Sequence, residues 1–249
     1  MRKMLSFIII MFLVCLVCGI SSAEQIDDLL KQAQGFYDQR DKPSMCENAV
    51  ETYEKVLKAN SNNYEALWKL ARGYKWLGDH APKEKRLEIF DQGKNYAKLA
   101  IGANPKGVEG HIWCGSNLGR YGEEKGVMES LKLLKPIEEE MKQVLELNAQ
   151  HEVAHYVLGI LYRKAPGWPV SIGSMEEAQK HALLAVKYGP NETYTHLGLA
   201  EYFIDKKEYK KAVPELQKVL QVPLDPDYTP EGQADKARAA EIIKWVRWK

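Results

Sequence analysis

The residues whose types and spacing most suggest chemistry form the pentapeptide His151-Glu152-Val153-Ala154-His155. It matches H-E-x-x-H, the pattern in which two histidines one helical turn apart bind zinc while the glutamate acts as general base. A carboxylate beside the metal can take a proton from metal-bound water, which then attacks the substrate. Taken alone, the pattern predicts a zinc-dependent hydrolase.

No other stretch has the pattern of a known catalytic motif. A glycine-rich phosphate loop is absent, and Gly115-Ser116-Asn117-Leu118-Gly119 has the letters of a nucleophile elbow but lies within a helical pattern. The 35 basic and 34 acidic residues nearly cancel, so there is no electrostatic reason to expect a nucleic-acid partner. Beyond the pentapeptide, we expect no catalytic residue, no cofactor and no bound metal.

The elements that carry these residues are set by a repeat of small side chains. Each of four copies has a pair of landmark positions. The first is a small or aliphatic residue, at Ala49, Gly93, Ile137 and Ala178, and the second is a small residue, at Ala71, Gly115, Gly159 and Ala200. The two members are 22 residues apart in every copy. Because two antiparallel helices approach closely only where side chains are small, these positions mark helix crossings. The spacing resembles that of the tetratricopeptide repeat.

This repeat predicts an all-α, tetratricopeptide-like solenoid of about five helical hairpins with a C-terminal capping helix at about 232–248. Such a cap covers the apolar face that the last hairpin would otherwise expose. The period from Ala178 to Ala212 is the standard 34 residues, whereas the earlier copies are 41 to 44 residues long. We place the extra residues in the region of the turn inside each hairpin. In the second hairpin we expect them to extend the second helix, which would start after Pro82 and run to about Ala103. The solenoid domain is predicted to span residues 24–249.

The repeat also offers a structural interpretation of the pentapeptide. His155 falls at the fourth position of its repeat, as do His111 and His196, and in the resembling family that position is an aromatic packing site. His151 precedes the helix, so the two histidines need not share one face. We therefore favour a binding protein over an enzyme. A periplasmic zinc hydrolase that uses residues 151–155 remains the alternative.

The binding surface is expected on the concave side, which the first helix of each hairpin lines in tetratricopeptide solenoids. There the chain would mix aromatic rings with Arg and Lys, which suits an anionic peptide, a carboxylate or a small amphipathic ligand. The other interpretation is a solvated basic face whose tryptophans pack between hairpins. The candidate binding residues are Trp68, Arg72, Lys75, Trp76, Ile112, Ser116, Arg120, Tyr156 and Arg163.

The N-terminal residues 1–23 have the pattern of a signal peptide. Arg2 and Lys3 precede an apolar run over 5–17, and Ser21-Ser22-Ala23 supplies the small residues of a signal-peptidase site. The chain is therefore expected to be secreted or periplasmic after cleavage near Ala23. The alternative is a lipid anchor at Cys18, although the valine before it is unusual for that processing.

Four stretches between 71 and 223 resemble the T-component proteins of TRAP transporters. They are Arg72–Gly78 with the following His-Ala-Pro, His111–Gly115, Ala154–Gly159 and the Pro-Gly-Trp-Pro loop at 166–169. The same pattern resembles the regulator-of-microtubule-dynamics family, and the export signal favours the bacterial branch. The resemblance implies an all-helical periplasmic scaffold or transport accessory that associates with a solute-binding protein. It also implies that the chain can form homo-trimers.

Overall fold

Helices make up nearly all of the structure, a computed structural model that describes residues 23–246 and Trp248. The eleven α-helices within this range are α1 (23–37), α2 (Met45–Ala59), α3 (Tyr64–His80), α4 (Lys83–Ala103), α5 (Val108–Lys125), α6 (Val127–Leu147), α7 (Glu152–Lys164), α8 (Met175–Tyr188), α9 (Thr193–Asp205), α10 (Tyr209–Gln221) and α11 (Thr229–Val246). Consecutive helices pair into five hairpins, and α11 packs on α9 and α10 as the cap. The predicted fold class is confirmed.

The N-terminal residues were predicted to form a signal peptide. The predicted signal peptide lies, apart from Ala23, outside the described residues. Within 23–246, none of the helices has both the length and the apolar character needed to cross a membrane.

Asparagines shape the turns between successive hairpins. The side-chain oxygens of Asn60, Asn104 and Asn148 each accept a hydrogen bond from the backbone N–H two residues later, at 3.0 to 3.2 Å. This local bond closes the turn and competes with continuation of the helix. The next helix then starts afresh, and before α3 the Asn63 side chain caps the N–H of Ala66 at 2.9 Å.

The small residues of the repeat do mark close helix crossings. A Cβ built on Gly159 of α7 would lie 3.2 Å from the backbone nitrogen of Ala182 and 3.6 Å from the carbonyl oxygen of Ala178, both in α8. The obstacle is backbone, which cannot rotate away as a side chain can. On α5, Gly115 also lies close to α6, but there a Cβ would meet the side chains of Met141 and Ile137. The core runs continuously through these crossings.

The extra residues of the second and third hairpins lengthen helices, as predicted for the second hairpin after Pro82. Helices α3 to α6 have 17, 21, 18 and 21 residues. Pro82 can begin α4 because a proline at a helix start needs no hydrogen-bonded N–H. Gly126, at φ 102, turns the chain from α5 into α6 in a single residue. Only the fourth hairpin has a long inner loop, at 165–174.

The histidines at the fourth repeat position join each inter-hairpin turn to a second helix. Nε2 of each donates to the carbonyl oxygen six residues earlier, at 3.0 to 3.2 Å. Nδ1 meets the second helix of the same hairpin: His111 reaches Glu140, His155 reaches His181 and His196 reaches Glu215. These rings therefore have the structural role that the repeat predicted.

The fourth hairpin differs because His181 stands where the others have glutamate. Nε2 of His155 is bonded to a carbonyl and must carry the proton, so its Nδ1 accepts from the Nδ1–H of His181 at 2.9 Å. Burial, together with the neighbouring imidazole, lowers the pKa of His181 to about 4. Burial also lowers the pKa of His155. In contrast, burial acts to lower the pKa of His196, but the hydrogen bonds to Glu215 and to the Pro190 carbonyl, together with the Glu215 charge, outweigh it and raise the pKa.

Substitution of Gly159 by leucine should lower the free energy of unfolding by about 3 kcal/mol or more, because the side chain would push α7 from α8. Gly102→Leu is the matched control, since no atom lies within 4 Å of a Cβ built there. That control should be neutral or slightly stabilising, because leucine favours helix over glycine. Urea denaturation of both variants gives the comparison, and equal stability of the two would contradict the crossing.

His181→Gln should reduce the loss of stability in acid. The folded pKa of His181, about 4, lies below the unfolded value of 6.5, so the unfolded chain binds more protons between these pH values. Stability of the wild type should therefore fall as pH drops through this window, by on the order of 2 kcal/mol more than in the variant. His196→Gln should have the opposite effect and lower stability relative to wild type at low pH, because protonated His196 is stabilised by Glu215 in the folded state. Parallel curves for wild type and His181→Gln would refute the assignment.

Candidate binding site

An open cleft lies where the third hairpin extends beyond the fourth. Helices α5 and α6 have 18 and 21 residues, whereas α7 and α8 have only 13 and 14. At 1.5 Å per residue, α6 is about 31 Å long and α8 about 21 Å. The inner end of the third hairpin is therefore left partly uncovered. The cleft there has a volume of about 670 Å³, which lies within the usual range of ligand sites.

The walls of this cleft are apolar and come from three helices. Leucines and other aliphatic side chains supply them: Leu118 from α5, then Val127, Leu131, Leu133, Leu134 and Ile137 from α6, and Val157, Ile160 and Leu161 from α7. Gly119 forms part of the floor, and the nearest atom to a Cβ built on it is Cδ1 of Ile137 at 3.9 Å. The start of the 165–174 loop closes one end through Ala165 and Pro166.

The rim of the cleft has basic residues, but most of their charge is neutralised. Arg120 bonds to Asp79 at 2.6 Å and to Glu123 at 2.5 Å. Lys75 reaches the same aspartate at 2.7 Å. Among the ion pairs formed within 23–246, none includes Lys164, which is exposed at the rim. The cleft thus combines a large apolar surface with one uncompensated positive charge.

Four of the nine predicted binding residues line this cleft. Lys75, Ser116, Arg120 and Tyr156 come from α3, α5 and α7, the first helices of three successive hairpins. Tyr156 is held from behind, since its ring lies edge-on to Tyr194 with centroids 5.0 Å apart. These four residues therefore share one surface, and their role in binding stays a prediction.

Three other predicted residues lie in a separate aromatic cluster near α1. The guanidinium of Arg72 lies over the ring of Tyr37, 3.9 Å from its centroid, and 5.1 Å from that of Trp68. It also donates to the Gln34 side chain at 3.0 Å. Trp76 donates from Nε1 to the carbonyl oxygen of Arg40 at 3.1 Å. These side chains contact other side chains of the fold. This agrees with the second interpretation given above, in which the tryptophans pack between hairpins.

The chain's own C-terminal segment covers that cluster. Buried Arg40, which follows α1, forms a bidentate ion pair with Glu231 of α11, in which Nε donates to Oε1 at 3.1 Å. The same guanidinium donates to the carbonyl oxygen of Asp227 at 2.8 Å. Burial raises the pKa of Tyr228, an effect that the nearby positive charge of Arg72 opposes. The concave side near α1 is thus occupied by residues 225–231.

The last two predicted residues have structural positions. Ile112 is buried in the core of the third and fourth hairpins. The side chain of Arg163 is only 8% exposed and bonds to Glu201 and to Asp205, each at 2.6 Å, and so joins α7 to α9. Arg72 and Arg163 were expected to be available to a ligand, yet both are engaged within the fold. Removing Arg163 would leave Glu201 and Asp205 without this partner, so Arg163 contributes to stability.

The H-E-x-x-H residues are not arranged around a common point. Both ring nitrogens of His155 are hydrogen-bonded, to His181 and to the carbonyl of Ala149. His151 occupies the position just before α7, and Glu152 accepts from the Tyr194 hydroxyl at 3.5 Å. Within 23–246, no group of three or more potential metal-ligating side chains is present. Metal binding by His155 would require its structural hydrogen bonds to break.

The apolar walls were missed by the sequence reasoning. The tetratricopeptide positions used for prediction lie on first helices only, whereas Leu131, Leu133 and Leu134 belong to the added turns of α6. A signal was available, because the insertion that lengthens the third hairpin is rich in leucine. Polar residues would be expected there if the added turns were fully solvated.

Comparison with known proteins gives the family and the fold. The family model of regulator of microtubule dynamics protein 1-3 matches residues 26–165. Regulator of microtubule dynamics protein 1 of Bos taurus is 23% identical over 183 residues, covering 72% of this chain and 53% of that protein. The chain thus spans about half the length of this curated relative.

Two solved structures have similar folds at low sequence identity. TTC0263, a tetratricopeptide-repeat protein of Thermus thermophilus, superposes with a TM-score of 0.68 at 16% identity, covering 88% of this chain and 98% of that one. The Pseudomonas aeruginosa pilF protein gives 0.59 at 13% identity, with 91% and 93% covered. The superposition on TTC0263 shows the tetratricopeptide fold. Because the family model matches more than half of its residues, the chain belongs to the regulator of microtubule dynamics protein 1-3 family.

Proposed function

We propose that this chain is a non-enzymatic scaffold whose cleft binds the apolar side of a helical segment from a partner protein. The observation that carries the proposal is the uncovered inner end of the third hairpin, where apolar side chains from α5, α6 and α7 line one cleft. Solenoids of helical hairpins use such concave surfaces to bind partners. An amphipathic helix laid in an apolar groove, with anchors spaced three and four residues apart, is a common mode of recognition.

The openness of the cleft favours a macromolecular partner over an enclosed small ligand. Its apolar surface continues onto Val127 and Met128, whose side chains are 76% and 73% exposed. A small amphiphile held in the cleft would leave these two in water, whereas a partner helix could cover both. Lys164 is placed to meet an acidic residue on the partner. Such a rim charge contributes more to orientation and association rate than to affinity.

The finer proposal is an exported accessory of a periplasmic solute-binding or transport system, able to form homo-trimers. The signal-like residues 1–23 and the resemblance of four stretches to T components support it. The alternative of a periplasmic zinc hydrolase is less favoured, because His155 is already hydrogen-bonded at both nitrogens. The name of the bovine relative raises a different context, regulation of microtubules. Identification of the bound partner distinguishes these roles.

Export can be checked on the mature N-terminus. If signal peptidase acts after Ala23, intact-mass measurement and N-terminal sequencing of the protein from its native source should give a chain that begins at Glu24. A chain that begins at Cys18 with added acyl mass would establish the lipid anchor instead. An intact Met1 would refute export by this route.

Photo-crosslinking in the native cell tests the cleft as a partner site. Benzoylphenylalanine at Val127, an exposed cleft residue, should crosslink to a defined partner protein because the partner covers this position. Leu99 on α4 is the matched control, since it is also exposed and aliphatic but lies outside the cleft.

A crosslink from position 127 that is absent at 99 is the expected result, and a solute-binding protein in that product would support the finer proposal. Equal labelling at both positions, or crosslinks from 99 only, would rule out the cleft as the docking site.

A further inference from the structure

The C-terminal end of the solenoid exposes aromatic side chains where a capping helix usually presents a polar face. Trp245, near the end of α11, is 43% exposed and lies edge-on to Tyr209 of α10, with ring centroids 6.0 Å apart. Trp248 is 88% exposed. Exposed aromatic side chains that lie close together are typical of a surface that contacts another molecule.

Lysines lie close to Tyr209, the residue that contacts Trp245. The end of the α9–α10 turn and the first turn of α10 carry four exposed lysines in six residues: Lys206, Lys207, Lys210 and Lys211. Three of them line an open hollow of about 650 Å³, with Tyr209 and Val213 of α10 and Val246 of α11. Lys244, beside Trp245, is also exposed. We call these four lysines from 206 to 211, with Trp245 and Trp248, the terminal patch.

Acidic residues near the terminal patch cancel only part of this charge. Glu208 pairs with Lys211 at 2.6 Å. Asp205 is bonded to the largely buried side chain of Arg163, so the aspartate is neutralised from inside the protein. Glu241 is exposed one helical turn before Trp245 and offsets Lys244. Among the described residues, Lys206, Lys207 and Lys210 belong to no ion pair, so their positive charges are left uncompensated near Tyr209 and Trp245.

We propose that the terminal patch docks this chain on the surface of an anionic phospholipid bilayer. Tryptophan is suited to the boundary between lipid headgroups and acyl chains, because its ring is apolar while its N–H needs a polar partner. Lysine can place its aliphatic stem against the apolar layer and its ammonium among phosphates. A cluster of lysines near an anionic leaflet is attracted to the surface potential whatever the exact positions of the headgroups.

A lipid surface fits these residues better than a single protein partner does. Lys206 and Lys207 lie in the turn, and Lys210 and Lys211 lie in the first turn of α10. Their ammonium groups are point charges on flexible stems and do not match carboxylates at fixed points, as a bidentate arginine would. An acidic polypeptide would gain from the lysines but would leave Trp248 in water. A bilayer interface satisfies both groups at once, so the combination of exposed tryptophan and flexible ammonium groups favours it.

Co-sedimentation of the full chain with vesicles tests this docking. The probes are phosphatidylcholine vesicles with and without about 30% phosphatidylglycerol, at low salt and at about 0.5 M salt. Wild type should bind the anionic vesicles only, and salt should weaken that binding. The double variant Lys207→Glu, Lys210→Glu should bind about 30-fold or more weakly, because each lysine near an anionic surface contributes roughly a factor of five. Trp248→Ala should bind several-fold more weakly.

Matched controls separate the terminal patch from general effects of charge and hydrophobicity. Lys83→Glu with Lys85→Glu makes the same charge change at the start of α4, where glutamates suit the helix. Trp168→Ala removes an equally exposed tryptophan from the 165–174 loop. Both controls should bind as wild type does.

Three results would overturn the proposal. The first is no binding to anionic vesicles, and the second is equal loss in patch and control variants. The third is that soluble polyglutamate binds to the wild type as tightly as the vesicles do, since the partner would then be an acidic polypeptide.

Discussion

The fixed distance between helix crossings governs the shape of this molecule. From the second helix of one hairpin to the first helix of the next, the small residues are always 22 residues apart. Side chains there are limited by backbone, as at Gly159, so the crossings cannot slide. All inter-hairpin turns therefore align along one edge, and any difference in hairpin length must appear at the opposite edge. The cleft at the inner end of the third hairpin is a direct consequence of this constraint.

Contacts at the opposite edge explain why the cleft lies between the third and fourth hairpins. The second and third hairpins are both long, and their projecting ends are joined by Arg120 to Asp79 at 2.6 Å and by Arg86 to Glu124 at 3.3 Å. The fourth hairpin is shorter and offers only the start of its inner loop. Near α1 the concave side is already covered, because Arg40 holds Glu231 and the segment before it. The apolar surface left open is thus the one that has no intramolecular occupant.

The sequence was sufficient for the fold and only partly sufficient for the site. Small residues and asparagine turns repeat, so the hairpins, the cap and the role of His155 could be predicted. The partners of Arg72 and Arg163 could not, because Tyr37, Glu201 and Asp205 lie in other hairpins and their approach depends on superhelical curvature. The closure through Arg40 and Glu231 spans 191 residues and has no local sequence signal. The cleft walls were missed because only positions on first helices were considered, whereas the leucines of the wall lie on α6, the second helix of its hairpin.

A fluorescence titration with 1-anilinonaphthalene-8-sulfonate tests most directly whether the cleft binds an apolar group next to a positive charge. The account predicts one saturable site per wild-type chain, and its loss in Gly119→Phe, because the new ring would enter the cleft without meeting backbone. Gly102→Phe adds the same ring on α4, where a Cβ has no neighbour within 4 Å, and should keep the site. Undiminished binding by Gly119→Phe, with both variants as stable as wild type, would contradict the assignment of the cleft as the binding site.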